Sequence, residues 1–125
     1  MVVLDAGFFV TLAKSAAPNA LLVRARERKS FAVPATTIAE FWRTHRGRGE
    51  ARFGWLRPRV ISVDEALARR AGELLAATRG SNAMDAIVVA LAERLSAAEI
   101  YTSDHGDIEK LVRSCAHPRC AVVPV

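Results

Sequence analysis

The chain reads as a three-layer α/β domain, with a mostly parallel sheet between layers of helices. Three observations predict it. Short apolar segments recur at Val2 to Leu4, Phe31 to Val33, Val60 to Val63, Glu99 to Thr102 and Ala121 to Val125. Most are apolar on both faces, as strands covered on two sides are. Segments of helical spacing separate them, and strands alternating with helices build this class. A chain of 125 residues, 51% hydrophobic, is expected to form one domain over 1–125 and is too apolar for disorder.

Met1 to Leu4 form the first strand, and Asp5 ends it before Ala6 and Gly7 open a turn. An acid there is anchored by the core and points to the edge where open α/β sheets bind ligands. It also fits as a cap for the following helix. Helical patterns over Phe8 to Ala13 and Ala20 to Arg28 flank a break at Pro18 and Asn19. After the second strand, Ile38 to His45 is helical. The segment RGRGEARFGW then interrupts it with glycines, and the neighbourhood of Gly47 is expected to be a mobile loop. Asp64 is the expected N-cap of a helix over Glu65 to Thr78. Leu67, Ala71, Leu74 and Leu75 form its inner stripe, and Glu65, Arg69 and Glu73 pair on its outer face. A second mobile loop is expected near Gly80. Met84, Ile87, Val88, Leu91 and Leu95 make one stripe of the next helix. Ile108 to Val112 is a last short helix before Pro118. Right-handed crossovers bring the carboxyl ends of the parallel strands to one edge.

The formal net charge is +5 and arginine dominates the cations, with lysine only at 14, 29 and 110. Arginine's planar fork favours phosphate, and a basic balance raises the odds of a nucleic-acid partner. The apolar run Ala86 to Ala92 is too short to span a bilayer. No basic stretch precedes an apolar one at the N-terminus, so a cytoplasmic protein is expected. Cys115, His117 and Cys120 offer three zinc ligands and no second cluster. The two thiols are expected to be structural or incidental rather than bridged.

The remaining acids fall at the same edge. Glu40 is expected in the first turn of the helix after the second strand, and Asp85 in the first turn of the Met84 helix. Asp104 follows the fourth strand, and Asp107 stands three residues on. Each has a capping alternative. Thr37 and Glu40 fit a capping box, Asn82 fits as a cap over Asp85, and Asp104 fits as a cap over Asp107. Caps need no convergence. Converging carboxylates repel one another, whereas a hard divalent cation requires oxygen ligands gathered in one place.

Val3-Leu4-Asp5, Ala39-Glu40, Met84-Asp85-Ala86 and Thr102-Ser103-Asp104-His105-Gly106-Asp107 resemble the four acidic motifs of PIN-domain ribonucleases, most of all the VapC toxins of bacterial toxin–antitoxin pairs. Ala68-Arg69-Arg70-Ala71-Gly72 is also similar to the middle of many VapC chains. The resemblance covers essentially the whole chain, in the family's order. It implies a PIN fold, with a mostly parallel sheet of about five strands between helices. It implies that Asp5, Glu40, Asp85 and Asp104 bind Mg²⁺ or Mn²⁺, with Asp107 completing the site and Thr102 supporting it. The implied reaction is endonucleolytic hydrolysis of RNA. The implied partners are a VapB antitoxin and a second copy of the chain. Gly7 departs from the pattern, since relatives often carry Ser, Thr or Asn there.

No histidine is needed as base if metal supplies the catalysis, and His105 reads as a solvent-facing turn residue. Arg43, Arg46, Arg48 and Arg52 are the candidate RNA contacts, with Phe53 and Trp55 interleaved to stack unpaired bases. Trp42 is expected to be packed. A receiver-type switch needs an acidic pair after the first strand, and a haloacid-dehalogenase-like phosphatase needs Asp-x-Asp; Asp5-Ala6-Gly7 provides neither. A catalytically inactive PIN-like module, or a housekeeping PIN nuclease without an antitoxin, are the alternatives within the family.

Overall fold

Backbone pairing joins the apolar segments into a single five-stranded sheet in the order β3-β2-β1-β4-β5, every pair parallel. The computed structural model describes residues 1–14, 27, 30–115 and 119–125, with side chains at 12–14, 44–52 and 55 excepted. The helix expected over Ala20 to Arg28, the break at Pro18 and Asn19, and His117 lie outside the described residues. The strands are β1 (Val2–Leu4), β2 (Phe31–Pro34), β3 (Arg59–Ile61), β4 (Glu99–Thr102) and β5 (Ala121–Pro124). The helices are α1 (Ala6–Lys14), α2 (Ala35–Leu56), α3 (Glu65–Thr78), α4 (Ala83–Arg94) and α5 (His105–Arg113). Among these described residues no single helix is long and apolar enough to cross a membrane.

Side chains alternate across the sheet, and the two faces pack differently. Val2, Leu4, Phe31, Val33 and Tyr101 meet Phe8 and Phe9 of α1 and Phe41 of α2 in one aromatic core. Val3, Ala32 and Ile100 meet the aliphatic faces of α3, α4 and α5 in the other. α4 is buried nearly all round, at Ala86, Val88, Val89, Ala90, Leu91 and Ala92. Of the expected stripe, Val88 and Leu91 are buried, and Ile87 and Leu95 are partly buried against the same core. Met84 is 37% exposed, because it belongs to the helix's first turn, at the edge of the packing. Val60 is also exposed, since β3 is an edge strand with neighbours on one side only.

Two ion-pair clamps hold α4 in place. Arg70 of α3 binds Glu93 through Nε at 2.6 Å and Nη2 at 2.8 Å, and reaches Glu73 at 2.9 Å. Arg94 grips Asp64 at 2.9 and 3.1 Å, while the same carboxylate caps α3 by accepting from Leu67 N at 2.7 Å. The expected pairing of Glu65 with Arg69 is present at 3.1 Å. Glu73 turns instead to Arg70, three residues back.

The second helix corrects two expectations. Its N-cap is Pro34, with no side-chain cap bond. Strand β2 runs directly into it, so Ala35 is its first residue and the Thr37–Glu40 capping box does not form. Glu40 accordingly stands in the second turn. Residues 46–55 are helical rather than a loop. The helix is not straight, however. The rings of Phe41 and Phe53 lie 5.9 Å apart, although 12 residues of straight helix span about 18 Å. The helix therefore bends between them, in the stretch that contains Gly47 and Gly49, and glycines are a recognised site of kinks. Both rings pack on Phe9, at 4.8 and 5.8 Å, and this burial outweighs the poor helix propensity of the glycines.

Phe41 is fully buried at the centre of that aromatic group. Phe41→Ala is therefore expected to destabilise the fold by about 3–5 kcal/mol. Urea unfolding followed by circular dichroism measures this, with the midpoint falling and the slope unchanged.

Candidate active site

The order of the strands places a topological switch point between β1 and β4, because the connections leave β1 in opposite directions on its two sides. Ligands bind at such points, outside the carboxyl ends of the strands. The register there is Val3 beside Ile100 and Leu4 beside Tyr101. The next pair in sequence is Asp5 and Thr102. Both point to the face covered by α4, two residues on from Val3 and Ile100. The Asp5 amide extends the ladder by donating to Tyr101 O at 3.0 Å.

Asp5 is buried and both carboxylate oxygens are engaged. Oδ1 accepts from the Ala6 amide at 2.7 Å, and Oδ2 accepts from the Thr102 hydroxyl at 2.6 Å. The Thr102 oxygen in turn accepts from the Asp104 amide at 2.9 Å. One threonine thus fixes two acids. Both readings of Asp5 hold, since its carboxylate bonds the first amide of α1 and also stands at the sheet edge.

Asp85 enters from the first turn of α4. Asn82 caps that helix, its side-chain oxygen accepting from the Asp85 amide at 3.2 Å. The Asp85 carboxylate is free of capping work. It is 5% exposed, and its Oδ2 is buried without a hydrogen-bond partner. Asp104 precedes α5 and makes no side-chain cap bond, while Asp107 lies in the first turn of that helix. Carboxylate oxygens of Asp85, Asp104 and Asp107 all lie within 4.8 Å of one another.

Electrostatics tie in the other two acids. Burial, chiefly, pushes Asp85 up to about 7, with the charges of Asp5, Asp104 and Glu40 adding to it. Burial also raises Asp5, against the Thr102 and Ala6 hydrogen bonds, and Asp104 raises it further. Half-buried Glu40 is raised by burial first and then by Asp5, with Arg43 opposing. Asp5, Glu40, Asp85 and Asp104 therefore act on one another, and Asp107 joins through Asp85 and Asp104. An all-oxygen set with one buried, unpartnered carboxylate oxygen matches the donors that hard divalent cations require.

Other expected residues fall differently. Arg43 is exposed beside Glu40, while the side chains of Arg46, Arg48, Arg52, His45 and Trp55 lie outside the described residues. Trp42 is not packed; it is 39% exposed, and its neighbour Phe41 takes the core position. His105 is part-exposed, with Nδ1 3.5 Å from Glu109. Cys115 and Cys120 are free thiols pushed by burial up to about 12 and about 11, as structural thiols are. Ser103 is a residue the sequence reading missed. A Cβ built on Gly7 would overlap the Ser103 side chain. Glycine at 7 therefore admits a hydroxyl from the neighbouring strand end. The one available signal was a glycine two residues past the strand-end acid.

A doubly wound parallel sheet with an acidic centre at its switch point defines the class: an α/β domain built to gather carboxylates at one strand edge. Residues 2–113 match the model of the PIN domain, and the chain belongs to that family. A crystal structure of VapC20 from Mycobacterium tuberculosis, described as a Sarcin-Ricin loop cleaving toxin, has the same fold. It matches with a TM-score of 0.65 and 20% identity, over 86% of this chain and 92% of that one. No curated protein sequence matches the chain.

The raised acids give stability a definite sign. Burial in the folded chain raises the Asp85 carboxyl from 3.8 to about 7, so between those values the folded chain holds the extra proton. Stability then falls as pH rises through that window. Asp64, whose carboxylate is lowered by Arg94, acts only below it. Without divalent metal, the protein is expected to melt at a higher temperature near pH 5 than near pH 8. Scanning calorimetry of the wild type and of Asp85→Asn measures this, and the variant should lose most of the slope.

Proposed function

We propose that this PIN-domain chain is a Mg²⁺- or Mn²⁺-dependent endoribonuclease of the VapC type, the toxin of a toxin–antitoxin pair. The observation that carries the nuclease reading is the buried Asp85 carboxylate, with an unpartnered oxygen, set against Asp104 and Asp107 within 4.8 Å. Asp5, Glu40, Asp85 and Asp104 would hold the cation, and Asp107 would complete the set. When bound, such an ion lowers the pKa of water and neutralises charge on a phosphodiester.

The chain's own residues have separate tasks in this reading. Thr102 orients Asp5 through its hydroxyl and Asp104 through the amide it accepts from. Asp85, raised to about 7 by burial first and then by its acidic neighbours, would be drawn further to its anionic form by a bound cation. Glu40 closes the site from the opposite helical layer. Arg43, with Arg46, Arg48 and Arg52 along the same helix, is the proposed contact to RNA phosphates. The fold is shared with VapC20, described as a Sarcin-Ricin loop cleaving toxin, and this supports an RNA substrate; a VapB-type antitoxin, a second copy of the chain and a cytoplasmic setting are further parts of the proposal.

The test is purified protein on single-stranded and structured RNA with Mg²⁺ or with EDTA. Cleavage should need the metal, and Asp5→Asn or Asp85→Asn should slow it by about 100-fold or more. Thr102→Val keeps the shape and removes both hydrogen bonds, so a loss of about 10- to 100-fold is expected. Cleavage by both carboxamide variants at the wild-type rate would sink the metal-site reading. An inactive binding module would bind RNA or antitoxin without cutting. Growth arrest on expression, relieved by the product of an adjacent small reading frame, distinguishes a toxin from a housekeeping nuclease.

A further inference from the structure

A second polar cleft opens on the α3–α5 side of the acids. Its volume is about 200 Å³, and Asp85, Asp107, Arg79, Ser81 and Lys110 are among the residues that line it. That volume equals roughly six or seven water molecules, enough for a hydrated phosphate group. The cleft thus touches the acidic centre directly and continues away from it.

The cations of the cleft are placed unlike the other arginines of the same two helices. Arg69, Arg70 and Arg113 are all engaged by glutamates of their own or a neighbouring helix. Arg79 and Lys110 share a cleft with two carboxylates. Among the described residues neither forms an ion pair with them or with any other acid. Asp85, in the same lining, is 5% exposed, with its Oδ2 unpartnered. The cleft therefore brings together acids and cations that, among the described residues, form no ion pair with one another. Two ligands of opposite sign satisfy this arrangement: a cation on the acids and an anion between Arg79 and Lys110.

Geometry orders the two. Lys110 follows Asp107 by three residues on α5, about 4.5 Å further along the helix axis. Arg79 caps the C-terminus of α3 in a left-handed conformation, φ 54°, its amide donating to Leu75 O. That turn carries the chain from α3 across the cleft to Ser81 and Asn82. A chain of regularly spaced phosphates entering here presents one group to the carboxylates and the next to the cations.

We propose that Arg79 and Lys110 form a subsite for an RNA backbone phosphate adjoining the one held at the acidic centre. The inference rests on the nuclease reading for its polarity, since the acids mark where the scissile group lies. It adds a contact on the α3–α5 side of the acids.

The test is equilibrium binding of fluorescently labelled single-stranded RNA, measured by anisotropy against salt concentration. It is run in EDTA and again with Ca²⁺. Arg79→Gly removes the side chain and relieves the left-handed backbone, so it preserves the fold; Lys110→Gln is a surface change. Arg69→Ala, on the outer face of α3, controls for net charge. Each of the first two should reduce the slope of log K on log salt by about 0.7, the value for one phosphate contact to a single strand. Affinity should fall about fivefold for each near 0.1 M salt, with the melting temperature held. An unchanged slope, an equal change for Arg69→Ala, or no measurable RNA binding overturns the subsite. Failure is distinguishable from that of the nuclease reading. A protein that cuts RNA with Mg²⁺ but shows no slope change lacks the subsite. One that binds with the reduced slopes but never cuts keeps the subsite and loses the nuclease reading.

Discussion

The hydrogen bond between Thr102 and Asp5 is the contact on which the site depends. It joins the ends of two neighbouring strands that are 97 residues apart in the chain, at 2.6 Å and out of solvent. The sheet order makes β1 and β4 neighbours, and the parallel register sets Asp5 against Thr102. A slip of one residue would turn Thr102 to the aromatic face and leave Asp5 without its donor. The same hydroxyl oxygen accepts from the Asp104 amide, so the direction in which the chain leaves β4 is fixed by the group that holds Asp5. The position of a carboxylate pair is thereby a consequence of strand register rather than of loop conformation.

The rest of the scaffold works against repulsion. Burial and like charge both raise Asp5, Glu40 and Asp85, and this disfavours the arrangement at neutral pH. Something must stop α4 from moving its N-terminus away. Near its far end, Glu93 and Arg94 are each held by a partner in or next to α3, and both contacts are two-pronged. Between them and Asp85, the helix is packed on every side with alanine, valine and leucine. Asn82 ends the helix where the acids begin, so Asp85 is carried on a rigid turn rather than a free loop. Such a helix cannot relax to relieve one carboxylate. The strain is left for protons or a cation to remove.

Much of this was legible in the sequence, and what was missed has a common cause. Strand-end and helix-cap signals are local, which is why Asp5, Asp64, Asn82, Asp85 and Asp104 could be placed from their neighbours alone. Glu40 was one turn out because Pro34 starts its helix without a side-chain cap, and a Thr-x-x-Glu pattern nearby imitated a capping box. The glycines at 47 and 49 read as a loop, whereas the backbone there is helical. Whether helix or loop surrounds them is decided by Phe9, which sits far away in sequence and receives both Phe41 and Phe53. Trp42 and Phe41 are adjacent aromatics, and only the docking of α2 on α1 determines which enters the core. The cleft of Arg79 and Lys110 is built from three separated segments and has no sequence signature at all.

Gly7 illustrates the limit from the other side. As a residue it suggested a missing hydroxyl, because its own side chain is absent. In the fold its Cα is the surface against which Ser103 rests. Thr102, Ser103 and Asp104 then form a consecutive set. The first grips Asp5, the second fills the space over Gly7, and the third meets Asp85 and Asp107. A strand alternates its side chains, and the chain turns into α5 straight afterwards, so three successive residues leave β4 in three directions. The absence of a Cβ at 7 is what lets the middle one approach the first turn of α1. The two strand ends consequently pack as one unit, and Asp5 is tied to the end of β4 twice, its amide donating to Tyr101 O and its carboxylate accepting from the Thr102 hydroxyl.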